Sequence, residues 1–129
     1  MNKLDALIIE DDPKLGVIFQ AALQHFGFET QLDDTGGSLP AKFAEPAPAL
    51  IVLDIHLPHA LGTEILEQIR ADERWASAVV IVTTADIFLA KSLEGRADHV
   101  LIKPVSVESI KRIVGRHWPD LIPVDSQFP

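Results

Sequence analysis

Apolar positions fall into five short runs, and four of those runs stop abruptly at a charged or hydroxyl-bearing residue. Leu4 to Ile9 runs into Glu10, Asp11 and Asp12; Ala49 to Leu53 into Asp54; Val79 to Val82 into Thr83 and Thr84; Asp98 to Ile102 into Lys103. The fifth, Phe28, Thr30 and Leu32, alternates with polar residues. Runs this short and this continuous predict buried parallel strands.

Between the runs the spacing changes to that of helices. Asp12 followed by Pro13 reads as an N-cap and first helical residue, with Leu15, Ile18, Ala22 and Phe26 on one stripe and Gly27 as the stop. Ser38 caps a short, weak helix through Phe43, with Pro40 in its first turn. Thr63 to Arg70 turns Ile65, Leu66 and Ile69 inward. Asp86 caps a helix reaching about Glu94, and Ser106 starts a last one with Val107, Ile110, Ile113 and Val114 on one face. Trp118 to Pro129, with three prolines, reads as an irregular terminus.

Strands alternating with helices predict an α/β fold, with right-handed crossovers and helices on both faces of a parallel sheet. In such sheets ligands gather outside the carboxyl ends of the strands. The residues to watch are therefore those that end the runs: Glu10, Asp11, Asp12, Asp54, Thr83 or Thr84, and Lys103.

Composition narrows what they can do. The absence of cysteine removes disulfides, thiolate metal sites and cysteine nucleophiles, and fits a reducing compartment. Eleven basic against nineteen acidic side chains leave a net charge of −8, which repels phosphate backbones and makes direct nucleic-acid contact a poor expectation. No run approaches the about 18 apolar residues of a membrane span, and the first residues lack a signal-peptide pattern. The expectation is a soluble, cytoplasmic domain that does not touch the membrane.

Carboxylates meeting at one place repel unless something compensates. A divalent cation with oxygen ligands can do so, and so can the ammonium of Lys103. Mg²⁺ suits the inventory, because it accepts one or two carboxylates, keeps several waters and takes phosphate oxygens; no His/Cys arrangement suits zinc. An ionised aspartate beside such a cation can attack phosphorus, while the cation, a hydroxyl and an ammonium offset the charge on the transferred group.

Four segments, IIEDDP, LIVLDIHLPHALG, VVIVTTA and ADHVLIKPV, resemble in this order those of response-regulator receiver domains. The likeness runs from about Leu4 to Trp118, with Pro58 and Gly62 four and eight residues beyond Asp54. It implies a flavodoxin-like (βα)5 fold with strand order 2-1-3-4-5. A receiver domain would span 1–118, followed by a tail at 119–129.

The resemblance also implies roles. Asp54 would be phosphoacceptor and metal ligand; Asp11 would ligate Mg²⁺ directly and Glu10 through water, and the backbone carbonyl of His56 would add a further ligand. Thr83 would contact the phosphoryl group, although Thr84 is open as the alternative, and Lys103 would pair with it. A cis Lys103–Pro104 peptide is implied as well. The donor would be a histidine kinase or histidine phosphotransfer protein, and the fourth helix, fifth strand and fifth helix would form a face for partners or a homodimer. The domain would be an autocatalytic phosphoacceptor rather than a turnover enzyme.

Two departures from the family bear on the readout. Val100 stands three residues before Lys103, where the family commonly carries an aromatic ring, and the stretch from Thr83 to Lys103 is a residue or two short. Both leave open a phosphorylation-independent, receiver-like interaction module. An Asp-nucleophile phosphatase ranks lower, because the second position after Asp54 is His56 rather than an aspartate.

Overall fold

A computed structural model describes residues 4–37, 39–43, 45–57 and 61–122. The expected Ser38 cap and the Pro58 of the acceptor segment lie outside them. The described chain alternates β1 (Leu4–Ile9), α1 (Pro13–His25), β2 (Phe28–Asp33), α2 (Leu39–Lys42), β3 (Leu50–Asp54), α3 (Gly62–Ala71), β4 (Val79–Thr84), α4 (Ile87–Leu93), β5 (His99–Ile102) and α5 (Val107–His117). The strands form one parallel sheet in the order β2-β1-β3-β4-β5, as the resemblance implied.

Strand alternation explains why the apolar runs are continuous. Leu7, Ile9, Ile51, Leu53, Val80 and Val82 face one layer, where Ile65, Leu66 and Ile69 of α3 and Leu93 of α4 meet them. Ala6, Ile8, Leu50, Val52 and Ile81 face the other, against Phe19 and Leu23 of α1 and Ile110, Ile113 and Val114 of α5. At the central strands β1, β3 and β4 both sheet faces are covered, which is why their runs are apolar; β2 at the edge keeps polar residues such as Glu29 exposed.

The N-caps are those read from the sequence. Asp12 accepts from the Lys14 and Leu15 amides, Asp86 from those of Phe88 and Leu89, and Ser106 from that of Ser109. Gly27, just past α1, adopts φ 107°, which explains the glycine there. The inward stripe of α1 differs from the expected one. Ile18 is 46% exposed, and Phe19 and Leu23 take the core instead. Trp118 packs edge-on against Phe28, and a 3-10 turn at Pro119–Leu121 lays Leu121 and Ile122 on the same core layer.

Arg70, in the last turn of α3, ties down the connections that follow it. Its guanidinium donates to the carbonyls of Arg96 (3.1 Å), Ala76 (3.0 Å) and Ala78 (3.1 Å), and to Asp98 Oδ2 (2.9 Å). Burial pushes the Asp98 carboxyl up. The Val80 N–H, the hydrogen bond and charge of Arg70, and His117 outweigh burial and hold it below its ordinary value. Replacing Arg70 by methionine keeps the aliphatic stem but strips several acceptors of their donor, and should cost about 2 kcal/mol in urea unfolding. A lysine there should recover little, because one ammonium cannot span acceptors spread over two connections.

Candidate metal centre

Sheet order brings the run-ending residues together. Ile9 pairs with Leu53, so Glu10 emerges from β1 beside Asp54 at the end of β3. Asp54 pairs with Thr83 of β4, Thr84 pairs with Ile102 of β5, and the Lys103 amide donates to the Thr84 carbonyl at 2.8 Å. Residues up to 93 positions apart, from Glu10 to Lys103, thereby share one end of the sheet.

Glu10, Asp11 and Asp54 each offer a carboxylate oxygen, and these oxygens lie within 4.8 Å of one another. Glu10 and Asp54 are each 1% exposed, whereas Asp11 is exposed, so the first two form the floor and Asp11 the rim. Three oxygen donors without nitrogen or sulfur fit a hard divalent cation such as Mg²⁺.

Lys103 Nζ stands 3.3 Å from Glu10 Oε1 and 3.3 Å from Asp54 Oδ2. Burial pushes its ammonium down, but the Asp54 and Glu10 charges and hydrogen bonds outweigh that and raise it above its ordinary value. It is a fixed positive charge at the floor of the site. Burial pushes the Glu10 carboxyl up, and Asp54 adds to the effect; the Asp12 N–H and Lys103 oppose it, and the result is about 7. Two buried carboxylates sharing one lysine leave the site short of positive charge, which is the electrostatic condition a bound cation relieves.

The two threonines separate clearly. Thr83 Oγ1 is buried and has no hydrogen-bond partner among the described residues. Thr84 Oγ1 lies 2.9 Å from His56 Nε2 and accepts from the Asp86 amide at 3.0 Å. Thr83, paired with Asp54, has a hydroxyl to offer a ligand, whereas that of Thr84 is already engaged by His56 and the Asp86 amide. The His56 amide donates to Asp54 Oδ1 at 3.0 Å, which holds the start of the acceptor loop against the aspartate. That loop closes through a bridge between His56 and Leu61. Asp12 stands aside as the cap of α1. The Lys103–Pro104 peptide is cis. Val100 packs against the core layer of α3 and α4.

Comparison with known proteins agrees with this geometry. The response regulator receiver domain profile matches residues 6–115. Among curated proteins, the sensory transduction protein RegX3 of Mycolicibacterium smegmatis is 36% identical over 110 residues, covering 83% of this chain and 47% of that protein. The transcriptional regulatory protein TrcR of Mycobacterium tuberculosis is 30% identical over 111 residues, with 84% and 43% covered. The chain thus spans about half the length of these curated relatives. Among solved structures, the BeF3-activated DrrB receiver domain has a TM-score of 0.77 at 26% identity, covering 89% of this chain and 97% of that one. The receiver domain of sensor histidine kinase PA1611 from Pseudomonas aeruginosa, with a magnesium ion in its active site cleft, has a TM-score of 0.77 at 24% identity, with the same coverage. Among the described residues no helix is long and apolar enough to cross a membrane. With its strand order, its strand-end acids and lysine, and a profile match over most of its length, the chain belongs to the response regulator receiver domain family of two-component systems.

Proposed function

We propose that the domain accepts a phosphoryl group on Asp54 from the phosphohistidine of a histidine kinase or histidine phosphotransfer protein, and that Mg²⁺ is its cofactor. The observation that carries this reading is the floor of the site: Asp54 and Glu10 share Lys103 at 3.3 Å, and the Thr83 hydroxyl on the neighbouring strand has no partner among the described residues. The neighbouring fold with magnesium in its active site cleft supports the choice of cation. Glu10, Asp11, Asp54 and the His56 carbonyl would hold the ion, which when bound offsets charge on the phosphoryl oxygens. Asp54 forms the new O–P bond as the N–P bond of the donor histidine breaks, and the electron pair leaves with the imidazole. Lys103 and Thr83 would hold the transferred group, by charge and by hydrogen bond.

The receiver unit spans 1–118, with Pro119–Leu121 folded back on it at the head of segment 119–129. Its proposed readout is a shift between two conformations at the surfaces of α4, β5 and α5, through which partners or a second copy dock. The net charge of −8 makes the domain itself unsuited to nucleic acid, and its family supports a place in the cytoplasm.

Label transfer from a phosphorylated histidine donor tests the assignment. Wild type should take up label in the presence of Mg²⁺ and fail to do so when chelator is added beforehand, and Asp54→Asn should take up none. Equal labelling of Asp54→Asn, or indifference to the chelator, would overturn it.

A further inference from the structure

We propose that His56 is a positioning residue whose ring, through Thr84, couples Asp54 to the N-terminus of α4. The inference rests on the phosphoacceptor reading and adds the route by which a change at that carboxylate reaches the surface.

The route is a continuous series of polar contacts. Asp54 Oδ1 accepts from the His56 amide (3.0 Å), and His56 Nε2 meets Thr84 Oγ1 (2.9 Å). Thr84 Oγ1 also accepts from the Asp86 amide (3.0 Å), and Asp86 Oδ1 accepts from the amides of Phe88 (2.9 Å) and Leu89 (3.1 Å). Each link joins a different loop or strand end: the acceptor loop after β3, the end of β4, and the cap of α4.

The hydrogen-bonding capacities fit this arrangement. A threonine hydroxyl has one hydrogen and two lone pairs. The Asp86 amide takes one lone pair, which leaves the hydrogen or the other lone pair for the imidazole, whichever tautomer His56 adopts. Thr84 is fully buried, so water cannot replace the ring without entering the core. His56 itself is exposed. An exposed ring that bonds a buried hydroxyl is a contact that can be made and broken without repacking the sheet.

The far end of the route has something to display. Ile87 and Phe88, in the first turn of α4, are 64% and 87% exposed, while Leu89 of the same turn packs on the core. Asp86 decides how that turn begins, since its carboxylate satisfies two of the turn's free amides. Phosphorylation of Asp54 ends the ionised carboxylate that holds the His56 amide. The His56 ring then moves relative to Thr84, and the cap follows.

The competing account is that His56 and Thr84 merely hold two loops together. Rescue by a conservative variant separates the two. The test uses Mg²⁺ and beryllium fluoride as the phosphoryl mimic, with ¹⁹F NMR reporting occupancy at Asp54 and amide hydrogen exchange reporting the first turn of α4. In wild type, occupancy should change exchange at Phe88 and Leu89 by about tenfold, a typical coupling size. Thr84→Val keeps the shape and loses the hydroxyl; His56→Ala removes the exposed ring and keeps the backbone carbonyl. Among molecules with the mimic bound, as counted by the ¹⁹F signal, both should show less than about a third of that response, and Thr84→Ser should restore it.

A full α4 response in both Thr84→Val and His56→Ala, with the mimic bound, would overturn the coupling and leave the phosphoacceptor reading standing. Failure of wild type to give any bound ¹⁹F signal would overturn both. Should Thr84→Val not fold, His56→Ala against Thr84→Ser decides the matter alone.

Discussion

Replacing Gly62 by alanine should destabilise the protein by about 3 kcal/mol, equivalent to a fall of roughly 10 °C in melting temperature. Helix propensity predicts the opposite sign, because alanine gains about 1 kcal/mol over glycine inside a helix. Contact geometry decides between them. A Cβ on Gly62 would stand 2.5 Å from Ile55 Cα, 2.6 Å from its carbonyl oxygen and 2.8 Å from its carbonyl carbon. These are backbone atoms, so no rotamer change relieves the clash, and the contact between the Gly62 amide and the Ile55 carbonyl (3.3 Å) must open. Ile55 directly follows Asp54, so the strain falls on the acceptor loop and should weaken Mg²⁺ binding as well. Urea unfolding and a magnesium titration check the two parts separately. A variant as stable as wild type would show that the α3 start and the acceptor loop are not locked together.

Gly62 also shows what a sequence can and cannot disclose. Its type and place were visible, but ordinary loop punctuation explained them equally well, because only the fold brings Ile55 onto it. The central strands were legible for a simple reason: β3, β4 and most of β1 are buried on both faces, so composition alone marks them, whereas β2 at the sheet edge shows only alternation. The end-of-run residues were legible because a parallel sheet collects strand ends at one edge, so Glu10, Asp11, Asp54 and Lys103 could be grouped before any distance was known.

Relations set by side-chain direction were not legible. Thr83 and Thr84 are adjacent in sequence and point to opposite faces of β4, which is why one hydroxyl is left free and the other is tied to His56. The α1 stripe departs from the expected one at Ile18 because Ile18 and Phe19 differ by one helical step, and apolar spacing admits either. Trp75 stands between the helix α3 and the next apolar run with no pattern to mark it as core, yet it is 1% exposed and meets Phe43 edge-on. His99 and His117 carried no ligand spacing, yet parallel topology returns the end of α5 to the start of β5 and sets their Nε2 atoms 2.8 Å apart. Their ring centroids lie 5.1 Å apart, which adds about one ring radius at each end. The two nitrogens therefore face each other head-on, as a donor and an acceptor set by the tautomers, instead of converging on a metal.

The Glu10 carboxyl gives the second large effect, a reversal of sign between metal-free and metal-bound protein. In the folded, metal-free state it titrates at about 7, against 4.5 ordinarily. Between those values the folded state therefore binds more protons than the unfolded chain. Stability with chelator present should accordingly fall as pH rises through that window, by about 2 kcal/mol. Glu10→Gln removes the titration and keeps the shape. At about pH 8 with chelator it should be more stable than wild type by a similar amount, and its stability should be flatter across the window. Magnesium reverses the order. A cation competes with the proton for Glu10, so wild-type affinity should rise with pH up to about 7 and then level, while Glu10→Gln should bind at least about tenfold more weakly. Urea midpoints at about pH 5 and 8, with chelator and with saturating Mg²⁺, contain the whole prediction. A glutamine variant less stable than wild type in chelator at the higher pH would mean that Lys103 alone already balances both buried carboxylates. In that case the site would not be short of positive charge, and its electrostatic case for a cation would fall.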